Sequence, residues 1–211
     1  MKRISSLPLA GLAATAFSLA LIQPAPLHAQ ALFDVVIGST ASSLSRFGPV
    51  VGTAKYRTMD VYRWTLPNKN QFMATVSPEG EIVFAESDWF GASASDDTGC
   101  DLKELKFGVT TLADLRKRLG SDGFTFRGRR SGIPTQDGLA LMYSWEVDKV
   151  IVTFYAKIST EDNARVHAEG SKETDADYAK LYAVSIANAA YARAEWGARI
   201  GQPATTKTVW K

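Results

Sequence analysis

Residues 139–158 read LALMYSWEVDKVIVTFYAKI. Apolar side chains occupy every second position on both sides of Asp148-Lys149, which is the pattern of two half-buried strands. A two-residue connection suits a tight antiparallel turn. The stretch therefore predicts a long β-hairpin with one apolar face, which consists of Leu139, Leu141, Tyr143, Trp145, Val147, Val150, Val152, Phe154, Ala156 and Ile158.

A short helix is predicted over residues 112–119, ahead of the hairpin. Thr111 and Asp114 have the spacing of a capping box at its N-terminus. Gly120 ends the helix, and the basic side chains of the last turn suit the negative end of the helix dipole. The apolar side of this helix consists of Leu112, Leu115 and Leu119.

The first part of the chain has the same order of patterns. A short helix is predicted up to Phe47, with Ser39 or Thr40 as its N-cap and Gly48-Pro49 as its end. Its buried side consists of Ile37, Leu44 and Phe47. The extended segments that follow are 61–66, 72–76 and 81–87. A turn is predicted at 77–80, where the sequence is Ser-Pro-Glu-Gly.

A common offset of 70 residues points to an internal duplication. The pairs at this offset are Gly38 with Gly108, Thr40 with Thr110, Ile82 with Val152 and Phe84 with Phe154. The two predicted helices differ in length, and the middle strands do not align without gaps. We therefore expect an α+β fold, with short helices packed on an antiparallel sheet, built either as one domain or as two tandem similar lobes at 32–95 and 96–211.

The last part of the chain has a different composition. Ser159–Asp177 is charged and without apolar periodicity, so we expect an exposed loop. Lys180–Ala187 then predicts a strand, and Asn188 is placed to cap a helix over Ala189–Trp196. One continuous helix from Asp175 to Trp196 is the alternative. A terminal edge strand is expected over Ala204–Trp210.

These patterns resemble a repeat unit of small exported bacterial proteins, the SmpA/OmlA outer-membrane assembly lipoproteins and, in two tandem copies, the β-lactamase inhibitory protein. The segments that carry the resemblance are Gly108-Val109-Thr110, Leu119-Gly120, Tyr143, Trp145 and Val152-Thr153-Phe154, with Gly38-Ser39-Thr40, Gly48-Pro49 and Trp64 as a fainter copy. The resemblance implies a helix layer on an antiparallel sheet and a role in gripping other proteins. This chain lacks the anchoring cysteine of the first group and the disulfides of the second.

The N-terminus predicts export. Met1-Lys2-Arg3 is followed by an apolar run from Leu7 to Ile22, and Ala29-Gln30-Ala31 has the form of a signal-peptidase site. The apolar run is shorter than the roughly 20 residues that span a bilayer. We therefore predict a cleavable signal peptide over 1–31, cleaved near Ala29–Ala31, and a periplasmic or extracellular protein with no stable membrane anchor.

Charge and cysteine content limit the classes of function that are expected. Cleavage of the signal peptide removes Lys2 and Arg3, which leaves equal numbers of basic and acidic side chains in the mature chain. A general nucleic-acid binder needs a basic excess, so this class is not expected. Cys100 is the sole cysteine, which rules out an intramolecular disulfide and leaves pairing between chains open. The sequence does not decide the oligomeric state.

No catalytic constellation stands out. His167 is the one histidine left after removal of the signal peptide, and it lies in the charged segment, where a general base would be poorly positioned. Histidine and cysteine together are too few for a zinc site. We therefore expect no metal, no cofactor and no enzymatic activity. The alternatives are an envelope-polymer hydrolase that uses a carboxylate pair and a carrier of a small apolar ligand.

The predicted binding residues fall into two groups. Arg127, Arg129 and Arg130 lie in one Gly/Arg-rich connection and are suited to gripping carboxylates or phosphates. The second group, expected on the sheet face away from the helices, consists of Arg63, Thr65, Thr153, Tyr155 and Lys157. Mixed arginine and tyrosine surfaces are typical of recognition sites. The sequence thus predicts an exported binding protein, whose partner is another envelope protein.

Overall fold

The predicted hairpin is present in the structure, a computed structural model that describes residues 31–91, 98–100, 102, 104–129 and 131–201. Its strands pair in the predicted register, with Trp145 opposite Val152 and Tyr143 opposite Phe154. Asp148 has a φ of 54° in the turn. Both strands belong to a large antiparallel sheet that carries short helices, so the α+β class is confirmed.

The described strands are β1 (Ala31–Leu32), β2 (Val35–Val36), β3 (Gly52–Tyr56), β4 (Met59–Thr65), β5 (Gln71–Val76), β6 (Ile82–Asp88), β7 (Thr125–Phe126), β8 (Ile133–Thr135), β9 (Gly138–Val147), β10 (Val150–Ser159), β11 (Lys180–Asn188) and β12 (Arg199–Ile200). The described helices are a 3₁₀ helix (Ala41–Phe47), α1 (Leu112–Leu119), α2 (Thr160–Val166), α3 (Asp175–Tyr178) and α4 (Ala189–Trp196).

The main sheet has eight strands in the order β3-β4-β5-β6-β11-β10-β9-β8. Strands from the first part of the chain form one half, and strands from the second part form the other. The two halves join where β6 pairs with β11, from Phe84 opposite Ala187 to Asp88 opposite Ala183. The sheet therefore runs without a break across the boundary proposed at 95/96, and the division into two lobes stays a prediction.

Backbone hydrogen bonds dock the two Gly-x-Thr segments in the same way. Gly38 N donates to Ile82 O, and Gly108 N donates to Leu181 O, each at 2.8 Å. The structural counterpart of Ile82 is therefore Leu181, and the pairing with Val152 at the 70-residue offset is wrong. The offset fails in the strands because α2 and α3 separate β10 from β11.

One face of the sheet carries the larger apolar core. Trp64, Phe72, Trp145 and Phe154 from the strands pack there against α1 and the 3₁₀ helix. Helix α1 has the predicted bounds and capping box, and its buried side chains are Leu112, Leu115 and Leu119. The first helix is 3₁₀ rather than α, and Thr40 at its N-cap makes no capping hydrogen bond through its side chain.

The opposite face is covered in part by α4 and by the small β7–β12 sheet. Phe124, Phe126 and Trp196 pack there on Phe84 and Ile151. Helix α4 begins at the predicted Asn188 cap, whose side chain accepts from the N–H groups of the first turn. This face was expected to lie away from the helices. That expectation is wrong, because α4 folds back over the strand that precedes it.

Other expectations for the chain ends and loops have mixed outcomes. The segment 159–177 is not a plain loop, since Ser159 caps α2 and α3 follows. Cys100 is buried beside Leu32. The predicted signal peptide, apart from Ala31, and the strand expected over 204–210 lie outside the described residues.

Candidate functional site

A hollow of about 430 Å³ opens on the sheet face that α4 covers. Strands β4, β5 and β6 form its floor, β3 forms one side, and α4 with the β7–β8 connection forms the other. The residues that line it are Ala54, Lys55, Tyr56, Val61, Arg63, Met73, Thr75, Phe84, Glu86, Arg129, Tyr191, Glu195 and Trp196.

Strand register brings the floor side chains together. Arg63 lies opposite Met73, and Met73 lies opposite Glu86 on the next strand. Because side chains alternate between the two faces of a strand, all three point to the same side of the sheet. A basic, an apolar and an acidic side chain thus form one row across the floor.

Arg129 reaches the hollow because its loop is fastened to the end of α4. Gly128 N donates to Trp196 O at 2.8 Å, and a Cβ at Gly128 would lie 2.9 Å from that oxygen, so a side chain would disturb this contact. The guanidinium carbon of Arg129 lies 4.0 Å from the centre of the Trp196 ring. It is also 5.9 Å from the ring centre of Phe84 and 5.8 Å from that of Tyr155. Such contacts attract a cation to the negative ring faces.

Tyr155 connects Arg129 to the floor. Its hydroxyl accepts a hydrogen bond from Nη1 of Arg129 and lies 3.2 Å from the Ser185 hydroxyl. Burial, with Glu86 nearby, raises the pKa of Tyr155 far above its ordinary value. The phenol therefore stays protonated and acts as a fixed polar link between Arg129 and the neighbouring Glu86.

Glu86 holds its proton more tightly than an ordinary glutamate. Burial raises the pKa of its carboxyl to about 7, and the charge of Asp88 adds to this effect, while Tyr155 and Arg129 oppose it. Burial also raises the pKa of Asp88, against the opposing charge of Arg63. A carboxyl group that titrates near neutral pH is a common feature of functional sites.

The β3–β4 hairpin is fastened to α4 across the mouth of the hollow. Glu195 is the anchor: one carboxylate oxygen accepts from the Tyr56 hydroxyl at 2.7 Å, and the other from Arg57 Nη1 at 2.7 Å. The Glu195 side chain is only 7% exposed. This contact therefore holds the two sides of the hollow at a set distance.

The structure brings three of the predicted binding residues together. Arg63 and Arg129 line the same hollow, and Tyr155 bonds to Arg129. Arg127 is exposed and is not part of the lining. Lys157 lies in a second hollow, where it pairs with Asp137. The predicted Arg130 lies outside the described residues.

Sequence reasoning missed the partners of these residues. Glu86, Glu195 and Trp196 carry no motif, and Glu195 lies 138 residues from the arginine that it binds. Local sequence patterns do not reveal a contact between residues that are this far apart in the chain. A usable signal existed only for Glu86, which follows the apolar run Ile82–Ala85 within the same strand.

The described residues contain no group of three or more His, Cys, Asp or Glu side chains arranged to hold a metal ion. No helix among them has the length and apolar character required to cross a membrane.

Comparisons with known proteins give no family for this chain: neither a protein family nor a curated protein matches it. Among solved structures, it is similar to a DUF4309 family protein from Bacillus subtilis, with 16% identity, a TM-score of 0.36 and coverage of 71% of this chain and 78% of that one. It is also similar to an extracellular protein containing a SCP domain from Bacillus anthracis, with 10% identity and a TM-score of 0.42. That match covers 81% of this chain and 51% of the other, so the chain spans about half of that protein. At these values neither likeness says what this chain binds, and the resemblance to the SmpA/OmlA proteins and the β-lactamase inhibitory protein stays a prediction.

Proposed function

We propose that this chain is an exported, non-enzymatic binding protein of the bacterial cell envelope that recognises another protein through the hollow beside α4. The observation that carries the proposal is Arg129, a cation held against Trp196 and bonded to Tyr155 at the side of an open hollow. Arginine, tyrosine and tryptophan are the side chains that dominate recognition hot spots.

Export rests on the N-terminal pattern. The charged start, the apolar run and Ala29-Gln30-Ala31 favour cleavage and release beyond the inner membrane. The test is to express the full chain in a bacterium and to determine the N-terminus and the compartment of the mature protein. A mature protein that begins near residue 30 outside the cytoplasm supports export, whereas an intact Met1 in the cytoplasm contradicts it.

The geometry suits a protruding element of a partner. Glu195 fastens the hairpin to α4, so the hollow keeps its width without a ligand. A site that is already formed costs little conformational entropy on binding. Its volume of about 430 Å³ accommodates one or two side chains of a partner.

Site-specific cross-linking tests this proposal. A photo-reactive residue at Met73, on the floor of the hollow, is expected to give a discrete protein adduct in cells, and the same residue at the exposed Glu169 is the control. Replacement of Arg129 by Gln in the Met73 variant is expected to remove the adduct, and replacement of the exposed Arg127 is not. The proposal is contradicted if both positions give an adduct, or if the adduct at Met73 still forms after Arg129 is replaced.

A hydrolase is the second candidate, because Glu86 and Asp88 form a carboxyl pair in which both pKa values are raised. A proton held near neutral pH suits a general acid. Release of soluble fragments from cell-wall or polysaccharide substrates, abolished by Glu86→Gln and by Asp88→Asn, would establish this activity. Fragment release that survives both substitutions would not come from this pair.

The remaining alternative, a carrier of an apolar ligand, fits the hollow less well. Arg63, Glu86 and Arg129 are all in its lining, and burial of charged groups against an apolar ligand is costly. Lipid that co-purifies with the exported protein would favour the carrier.

A further inference from the structure

The charged groups of the hollow restrict the chemical class of its ligand. A guanidinium has five N–H donors, and Arg129 uses one nitrogen for the Tyr155 hydroxyl. Among the described residues, no other acceptor bonds to Arg129, and none bonds to Arg63. Two arginines of the same hollow therefore retain donors for a ligand.

The acidic groups near these arginines are already engaged. Both oxygens of Glu195 are bound, one by Tyr56 and the other by Arg57. At the rim, Asp60 pairs with Lys55 at 2.7 Å. Neither carboxylate bonds to Arg63 or Arg129. Asp88 lies close enough to Arg63 for the arginine charge to lower its pKa, but no ion pair or hydrogen bond joins these two described residues. Both guanidinium groups therefore keep donors for an anion.

Glu86 is the remaining acidic group of the lining. Its carboxyl is uncharged below a pH of about 7, because burial and the charge of Asp88 disfavour ionisation. When it ionises, it becomes an internal partner for Arg129. The groups that interact with it are Asp88 on its own strand, Tyr155 on β10, Tyr182 on β11 and Arg129 on the β7–β8 connection. The other titratable and charged groups of the lining are Arg63 on β4, Lys55 and Tyr56 on β3, and Tyr191 and Glu195 on α4.

The rest of the lining is apolar and aromatic. Phe84 lies between the floor and α4, with its ring centre 6.1 Å from that of Trp196 and 6.2 Å from that of Tyr191. Met73 and Val61 continue this surface over the floor. A ligand that satisfies the hollow therefore has an apolar or aromatic part next to its negative charge.

We infer that the hollow binds a carboxylate that is attached to an aromatic or large apolar group, with Arg129 and Arg63 as its partners and Glu86 as an internal competitor. This inference rests on the proposed binding function and defines its ligand. A planar carboxylate matches the two-pronged geometry of a guanidinium. A carboxylate next to an apolar group can belong either to the C-terminal residue of a polypeptide or to a free small acid.

The test is calorimetric titration of the mature protein with matched probes at pH 6. N-acetylphenylalanine is the acid, N-acetylphenylalaninamide is the same molecule without the carboxylate, and a hexapeptide that ends in phenylalanine represents a chain end. We expect the acid to bind at least about tenfold more tightly than the amide, the difference that charge-assisted hydrogen bonds make. Equal affinities of acid and amide would overturn the inference.

Two arginine variants locate the binding. Arg129→Gln and Arg63→Gln are each expected to lower the affinity for the acid at least about tenfold, without a comparable effect on the affinity for the amide. The control is Arg127→Gln, two residues from Arg129 but exposed. Arg63 is also exposed and is independent of the Trp196 contact, so it remains informative if Arg129→Gln does not fold. Unchanged affinity in a folded Arg63 variant would overturn its assigned role.

The pH dependence of acid binding tests whether Glu86 competes with the ligand for Arg129. Acid binding to the wild type is expected to weaken between pH 6 and pH 8.5 as Glu86 ionises, and Glu86→Gln is expected to remove most of this change. A pH effect that persists in Glu86→Gln would overturn the part given to Glu86.

The peptide separates the two sources, and the cross-linking experiment keeps the inference distinct from the proposed function. Tighter binding of the hexapeptide than of the free acid supports a chain end, and equal affinity supports a small acid. Acid binding without any protein adduct at Met73 would support the inference and contradict the protein partner. An adduct at Met73 that depends on Arg129, together with equal affinities for the acid and the amide, would support the protein partner and contradict the inference.

Discussion

Arg129 and Trp196 lie against each other, with the guanidinium carbon 4.0 Å from the ring centre, although 67 residues separate them in the chain. The contact joins the β7–β8 connection to the last turn of α4. It places a cation beside the hollow and covers one side of the indole. Stability and the proposed binding therefore involve the same side chain.

Arg129→Met should lower the free energy of unfolding by about 1–2 kcal/mol, because it removes the cation–π contact and the hydrogen bond to Tyr155 but keeps an apolar side chain. Urea denaturation measures the change. Arg127→Met is the matched control and should stay within about 0.5 kcal/mol of the wild type, because Arg127 is exposed. Equal losses in both variants would contradict this account.

Glu86→Gln should stabilise the protein in a pH-dependent way. The folded-state pKa of Glu86, about 7, exceeds its ordinary value of 4.5, so the folded protein holds the proton where the unfolded chain has released it. The wild type therefore loses stability as pH rises from about 4.5 through about 7, and Asp88 acts in the same direction. The variant should exceed the wild type by on the order of 2 kcal/mol at pH 8, and by much less at pH 4.5. Denaturation curves at both pH values measure this difference.

Glu195→Gln should loosen the β3–β4 hairpin, because it removes the charge that binds Arg57 and weakens the bond from Tyr56. Hydrogen exchange should become faster in Gly52–Tyr56, with a loss of about 1–2 kcal/mol in global stability. The exposed Glu169→Gln serves as the control. Unchanged exchange in β3 would show that pairing with β4 alone holds the hairpin.

Gly108→Ala should cost more stability than Gly38→Ala. Both glycines have positive φ, 69° and 86°, so an alanine at either position carries the same backbone penalty of about 1 kcal/mol. A Cβ at Gly108 would also lie 2.5 Å from the Trp89 ring, whereas none of the described atoms lies within 4 Å at Gly38. Thermal denaturation of the two variants separates the penalties, and equal melting temperatures would contradict the packing argument.

Thr111→Ala should cost about 1 kcal/mol, since its side chain accepts from Asp114 N and caps α1. Thr40→Ala is the counterpart in the first Gly-x-Thr segment and should cost less, because Thr40 makes no capping bond there. Chemical denaturation measures both. A larger loss for Thr40→Ala would mean that its contact with Ser42 matters more than the α1 cap.

The predictable parts of the fold are those whose cause is local. Alternation over 139–158 specified the hairpin, because side chains of a strand alternate between two faces. Thr111, Asp114 and Gly120 specified both ends of α1, because caps satisfy backbone groups within one turn. Asn188 did the same for the start of α4.

The arrangement of these elements required the folded chain. The pairing of β6 with β11, the return of α4 over the sheet and the meeting of Arg129, Tyr155 and Glu86 all join distant segments. Arginine in the connection and arginine on the sheet were visible as separate candidates, and nothing in the sequence placed them in one hollow. Hydrophobic patterning reports which side of an element is buried, but the packing of whole elements decides what it is buried against. Strands and caps thus followed from the sequence alone, whereas the hollow and its charge balance arose only from tertiary structure.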